Sequence, residues 1–238
     1  MALINYKSSQ IKLNHPNVIT VFGGPNYPTD ISKQHEFLQH HTDIDFYVDG
    51  EGEQSFVELF RALEAVNFDA DRLKSSLIRI PNTHYLVGNE FIRGDLLPRI
   101  RDIDSTLPSP YLSGMLDEFF DDSLTPLIQT SRGCPYSCTF CNDGKKERSK
   151  VNRKTPEYIA KEVEYIAQKA KHCNSLGLTD LNFGMYKEDI DTAKALASSR
   201  NVYGWPDHIN TSTGKNKKER VLEVANIVDG KIVLSGSV

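Results

Sequence analysis

PLIQTSRGCPYSCTFC, residues 126–141, decides how the rest of the chain is read. It contains three of the four cysteines, Cys134, Cys138 and Cys141, spaced C-x₃-C-x₂-C. The apolar segment Leu127–Thr130 reads as a strand running straight into them. Three thiolates on one loop can hold three irons of a [4Fe–4S] cube, whereas clusters dedicated to electron transfer ordinarily use four cysteines. The fourth iron is then left without a protein ligand, free to take a substrate or cofactor.

Two other readings compete for these cysteines. A zinc site wants four ligands, usually in two close pairs. Cys173, beside His172, could complete a Cys₃His or Cys₄ set. A structural disulfide fits less well, because three clustered cysteines cannot all pair. Cys173 itself reads as a free thiol near a helix end, behaving as a small hydrophobe.

The cysteine spacing, the preceding strand, Arg132-Gly133 and the aromatic Phe140 together resemble the radical SAM superfamily, whose motif is C-x₃-C-x-Φ-C with Φ aromatic. The resemblance implies that Cys134, Cys138 and Cys141 carry a [4Fe–4S] cluster. It implies that the open iron chelates the amino and carboxylate groups of S-adenosylmethionine (SAM). Reductive cleavage of the sulfonium would then give a 5′-deoxyadenosyl radical, with a flavodoxin- or ferredoxin-type protein as electron donor. By the same resemblance the backbone around Phe140 meets the adenine.

Working outward, the N-terminal part alternates strands and helices. Residues 2–14 read as a weak helix ended by Asn14-His15-Pro16-Asn17, since proline disfavours helix in the residue before it. Val18–Phe22 reads as a strand buried on both faces, followed at once by Gly23-Gly24-Pro25. A helix over Ile31–Gln39, a strand over Asp45–Val48 and the turn Gly50-Glu51-Gly52-Glu53 come next. The helix after that turn is expected to bury Phe56, Val57, Phe60 and Leu63. The order is that of a doubly wound α/β unit. The segments HPNVITVFGGP and FYVDGEGEQSF resemble the C-terminal half of the cobalamin-binding domain that precedes many radical SAM barrels. That resemblance implies Gly23, Gly24, Gly50, Glu51 and Gly52 near cobalamin. The D-x-H-x-x-G signature of the family's first half is absent, and the expectation is a chain truncated at both ends. His15, His35, His40, His41 and His84 read as surface or loop histidines.

Short strands within Leu77–Arg93 read as antiparallel ribbons outside the core. Asp102–Pro110 reads as a polar, proline-rich linker, and Tyr111–Phe120 as a short helix. From Leu127 the repeat is strand–loop–helix. Thr155-Pro156 starts a helix, with threonine as N-cap and proline at its first position. Its buried stripe is Ile159, Val163, Ile166 and Ala170. Leu176–Phe183 is a strand whose period-two alternation puts Asp180 and Asn182 on one face, toward SAM or the substrate. Further strands fall in Trp205–Thr211 and Lys231–Leu234, with helices over Glu188–Ser198 and Lys217–Val228. Ser235 and Gly236 follow the last strand, where the resemblance implies a SAM ribose contact. The basic run Lys145, Lys146, Arg148, Lys150, Arg153, Lys154 reads as a solvated loop or a clamp for a phosphorylated substrate.

The net charge of −4 gives no global field for nucleic acid. No run of apolar residues is long enough for a membrane span, and no signal peptide is visible. Clustered cysteines suit a reducing, cytoplasmic setting. The expected fold is α/β: residues 1–100 as part of a Rossmann-like cobalamin-binding domain, 101–123 as linker, and 124–238 as part of a βα barrel. The expected function is SAM cleavage on a cluster, leading to cobalamin-dependent methylation of an unactivated carbon in a small-molecule substrate. A methylthiotransferase, another radical SAM reaction or a non-catalytic cluster-binding module is the alternative.

Overall fold

The computed structural model describes residues 2–121, 124–144, 146–170, 172–214 and 216–235, with backbone only for 2–7, 234 and 235. Two compact units divide the chain, Met1–Arg99 and Ile100–Val238.

In the first unit the order is α1 (Ala2–Asn14), β1 (Val21–Gly23), α2 (Ile31–His40), β2 (Phe46–Val48), α3 (Gly52–Glu64), α4 (Ala70–Ser75), β3 (Thr83–Val87) and β4 (Glu90–Arg93). Strands β1 and β2 are parallel. The expected ribbons instead extend this sheet antiparallel, in the order β1-β2-β3-β4. They belong to the core: Tyr85 and Ile92 are buried with Phe46, Leu59 and Leu63. The hairpin can join because β3 places Thr83 and Tyr85 among buried side chains while Gly88 takes the positive φ of its turn.

Two expectations fail here for reasons of packing. Helix α3 buries Ser55, Leu59 and Leu63, one turn apart along a stripe, and leaves Phe56, Val57 and Phe60 about half exposed. The sequence offers more apolar residues than one face can hold, so periodicity picked the wrong stripe. Strand β1 is shorter than expected and only half-buried, with Val18 exposed outside it. Its entry is fixed by polar contacts: buried Asp45 accepts from Thr20 N at 2.9 Å and pairs with Lys12 and Lys74. Burial pushes the Asp45 carboxyl up, but the two lysines and Thr20 N outweigh it and hold it below the usual range.

The second unit runs α5 (Ile103–Thr106), β5 (Leu127–Ile128), β6 (Ser131–Arg132), β7 (Asn152–Arg153), α6 (Pro156–Lys169), β8 (Ser175–Phe183), α7 (Glu188–Tyr203), β9 (His208–Thr213), α8 (Lys218–Ile227) and β10 (Ile232–Ser235). The main sheet is parallel throughout, in the order β10-β9-β8-β5. Parallel strands put all their C-terminal ends at one edge, where βα loops build sites. The expected stripe of α6 is buried in full: Ile159, Val163, Ile166 and Ala170 pack with Leu176, Leu178 and Ile209. Burying each such aliphatic side chain contributes roughly 1.5–3 kcal/mol. Thr155 caps α6 through Tyr158 N, with Pro156 at its start.

The segment read as a linker is part of this unit. Asp102 caps α5, Ile103 is buried, and Asp104 accepts from both Thr155 N and Thr155 Oγ1 at the start of α6. Turn and cap chemistry, which needs no apolar periodicity, holds it. Tyr111–Phe120 forms turns and a short 3₁₀ stretch, Asp117–Phe119, in place of the expected helix.

Candidate functional site

The cysteine loop leaves the sheet just past β5. Its neck is closed by β6 and β7, which pair Ser131 with Arg153 and Arg132 with Asn152. Inside the neck Cys134 N donates to Arg148 O at 3.0 Å. Gly133 has φ +118°, and a Cβ there would lie 2.4 Å from Lys150 O. Two tight turns follow, Cys141 N to Cys138 O and Gly144 N to Cys141 O, each 3.1 Å. A Cβ on Gly144 would lie 2.4 Å from Cys138 O. Only glycine permits either approach of backbone to backbone.

None of the three cysteines is in a disulfide, and Cys134 and Cys138 are half-buried while Cys141 is exposed. Among the described residues no three His, Cys, Asp or Glu side chains are grouped as a metal site. What fits a cluster is the donor chemistry: three soft sulfurs outside any disulfide, on one short loop pinned at its neck and folded on glycine. Phe140 projects from this loop, 79% exposed. The fourth sulfur does not belong here. Cys173 precedes β8, its Sγ 3.5 Å from Ser175 O, so it lies at the N-terminal edge of the sheet. The loop lies at the C-terminal edge, roughly 20 Å away by strand rise from Ser175 to Asn182. Cys134, Cys138, Cys141 and Cys173 therefore cannot form a four-ligand set.

Strand β8 reaches the loop with two buried side chains. Asp180 is 2% exposed and accepts from Thr130 N at 2.9 Å, Ser131 N at 2.7 Å and the Thr130 hydroxyl. Burial pushes its carboxyl up, and the donors from Thr130 and Ser131 only partly offset this. Its oxygens are thus engaged by the stem of the cysteine loop. Asn182 Nδ2 donates to Cys134 Sγ at 3.2 Å. Ser235, whose backbone pairs with Ser212, ends β10 at this same edge. Gly236 lies outside the described residues.

Sequence reading missed the groups around Asp189, which is 1% exposed at the start of α7. Arg153 donates to Asp189, and its guanidinium lies over the Tyr186 ring at 4.7 Å. Burial pushes the Tyr186 hydroxyl up to about 12. Tyr136, between the first two cysteines, donates to Met185 Sδ at 3.0 Å and accepts from Asn216 Nδ2 at 2.8 Å. Lys146 and Lys150 of the basic run are exposed, while three other members are paired with acids. Arg148 binds Asp143 at 2.8 Å, Lys154 binds the buried Glu162 at 2.8 Å, and Arg153 holds Asp189. Asp143 and Glu162 are near neighbours in sequence, whereas Asp189 lies 36 residues from Arg153, a pairing the run alone could not signal. Lys145 lies outside the described residues.

The glycine turns of the first unit sit at the C-terminal ends of its parallel pair. Gly23 ends β1, and a Cβ there would lie 3.3 Å from Val48 O, while Gly24, at φ +103°, has nothing within 4 Å. Gly50, at φ +78°, follows β2, and Gly52 begins α3. Ligands of open α/β sheets bind at such carboxyl ends. Glu51 pairs with Arg99 at 3.0 Å and its carbonyl accepts from Asn82 Nδ2 at 3.3 Å. Behind the Gly24 turn, Tyr47 Oη donates to Gly24 O at 3.2 Å and stacks on Tyr27 at 3.8 Å between ring centroids. His84, expected at the surface, is fully buried with Nδ1 3.2 Å from Tyr27 Oη. Burial, with the nearby charge of Arg93, pushes it down to about 4.

The family described as "Radical SAM superfamily" matches residues 128–231. A 2-(S-pantetheinyl)-carbapenam-3-carboxylate methyltransferase of Streptantibioticus cattleyicolor is 32% identical over 234 residues, covering 95% of this chain and 32% of that protein. The cobalamin-dependent radical SAM methyltransferase TokK of Streptomyces tokunonensis is 31% identical over 233 residues, with coverage of 95% and 32%. The chain thus spans about a third of the length of these curated relatives. In fold it is similar to the radical S-adenosylmethionine methyltransferase TsrM from Kitasatospora setae, solved with cobalamin and a [4Fe–4S] cluster. That match has a TM-score of 0.65 at 15% identity, over 98% of this chain and 44% of the other. The cobalamin-dependent S-adenosylmethionine radical enzyme OxsB matches with a TM-score of 0.57 at 16% identity, over 98% and 33%. Among the described residues no helix is long and apolar enough to cross a membrane.

Proposed function

Because this chain carries a radical SAM superfamily domain across residues 128–231, we propose that it serves a cobalamin-dependent methyltransferase that cleaves SAM and methylates an unactivated carbon of a small molecule. The observation that carries this is the cysteine loop at the C-terminal end of β5, with three thiols on it and the fourth cysteine at the opposite edge of the sheet. Relatives named as methyltransferases match almost the whole of this chain, including its first unit, which supports methyl transfer over a cluster-binding module.

Cys134, Cys138 and Cys141 would hold three irons of a [4Fe–4S] cluster. When bound, the cluster supplies an electron that splits SAM to methionine and a 5′-deoxyadenosyl radical, while cobalamin supplies the methyl carrier. This chain's residues do the positioning. Gly133 and Gly144 let the loop fold tightly, and Asp180 fixes the stem through Thr130 and Ser131. The exposed ring of Phe140 and the backbone beside it offer a surface for adenine. Ser235 and Gly236 would approach the ribose. Gly23, Gly24, Gly50, Glu51 and Gly52 would line cobalamin, with Gly24 leaving room for close approach. A flavodoxin- or ferredoxin-type protein would deliver the electron.

Anaerobic reconstitution of the whole protein that carries this chain with iron and sulfide, then reduction and addition of SAM with or without methylcobalamin, tests the reading. Release of 5′-deoxyadenosine is expected on chromatography. An intact cluster that yields none would contradict it.

A further inference from the structure

Asn182 is 5% exposed, and its amide is directed at Cys134 Sγ, 3.2 Å from Nδ2. Its backbone is held as well, because its carbonyl accepts from Met185 N at 3.2 Å in the turn that ends β8. Two positions earlier on the same strand face, Asp180 grips Thr130 and Ser131, the residues that lead into Cys134. The donor and the sulfur it meets are therefore fixed from both sides.

Building on the cluster reading above, we propose that Asn182 is a positioning residue that tunes the cluster through an N–H···S bond to Cys134, rather than a contact for SAM. Hydrogen bonds to cluster sulfurs are one of the means by which proteins set reduction potential. One-electron reduction by an external low-potential donor adds negative charge that is shared by the coordinating sulfurs. The positive end of the amide dipole stabilises the reduced form more than the oxidised one. Burial of the Asn182 side chain strengthens that effect by limiting competition from water at the donor. Asn182 thereby makes the cluster easier to reduce, and it orients the first of the three thiolates.

The test compares the reconstituted chain with Asn182→Leu, which removes the donor, and Asn182→Asp, which keeps the shape and puts a negative charge where the amide was. Iron and sulfide contents, resonance Raman of the cysteinyl Fe–S stretches, and an EPR-monitored redox titration are read on each. Expected is near-complete iron in at least one variant, a more negative potential than in the unmodified chain, and Fe–S stretches moved to higher frequency in Asn182→Leu. The carboxylate introduced by the second variant should shift the potential further. Unchanged potential and stretches in variants carrying full iron would overturn the proposal while leaving the cluster reading intact. Loss of iron from both variants would overturn it too, making Asn182 purely structural. Failure of the unmodified chain to take up iron would overturn the cluster reading itself.

Discussion

Gly24 and Gly144 both stand beside candidate ligand sites, yet a side chain at Gly24 would meet nothing within 4 Å, whereas at Gly144 it would strike Cys138 O at 2.4 Å. The first turn is open, held from behind by the stacked Tyr47 and Tyr27 and by buried His84. The second is closed on itself, and its stem is fixed by Asp180, fifty residues away on β8. An open turn leaves space for a large ligand to come against backbone. A closed one fixes the directions of a few ligating atoms, which is what a small inorganic group requires.

The sharpest contrast lies in the anchors. Asp180→Leu should orphan Thr130 N, Ser131 N and the Thr130 hydroxyl, each a buried donor worth about 1–3 kcal/mol when left unpaired. A total loss of roughly 3–5 kcal/mol is expected by denaturant unfolding, together with loss of iron uptake. Little change in either would show that the loop does not depend on β8.

The His84 anchor should show in pH dependence. Its folded pKa of about 4 lies below its ordinary 6.5. Between these values the unfolded chain binds the proton and the folded chain does not. Stability is thus highest above pH 6.5, falls as pH drops toward 4, and levels off below. The loss should reach at most about 3 kcal/mol. His84→Gln should flatten that slope in urea titrations at several pH values. A slope unchanged by the substitution would remove His84 as its source.

Substituting the glycines themselves comes next. Gly144→Ala should cost roughly 2–3 kcal/mol and much of the iron, because backbone must move. Gly24→Ala should cost only about 1 kcal/mol, from its positive φ alone. Equal costs would mean that crowding does not distinguish the two turns. The smallest effect is expected on the half-exposed face of α3. Val57→Ser should change stability by no more than about 0.5 kcal/mol. A larger loss in thermal unfolding would show that this face is covered.

The cysteine loop, the α6 stripe with its Thr155-Pro156 start, and the alternation of β8 were legible because each is local: a spacing, a cap, a period. Periodicity also placed Asp180 and Asn182 on one face correctly. It could not say what that face meets, because the partners Thr130, Ser131 and Cys134 come from another strand's end. The same limit hid the partner of Arg153 and the burial of His84. Helix α3 misled for a different reason, since its apolar residues cover more than one face and only the sheet decides which is buried. Asp102–Pro110 looked like a linker because caps, not apolar side chains, hold most of it.

The central claim is that three cysteines, not four, hold the cluster. Iron and acid-labile sulfide measured after anaerobic reconstitution of Cys134→Ala, Cys138→Ala, Cys141→Ala and Cys173→Ala test it most directly. About four irons per chain are expected in the unmodified protein. The same content is expected in Cys173→Ala and almost none in the other three. Equal loss of iron in Cys173→Ala would contradict the claim and restore a four-ligand site.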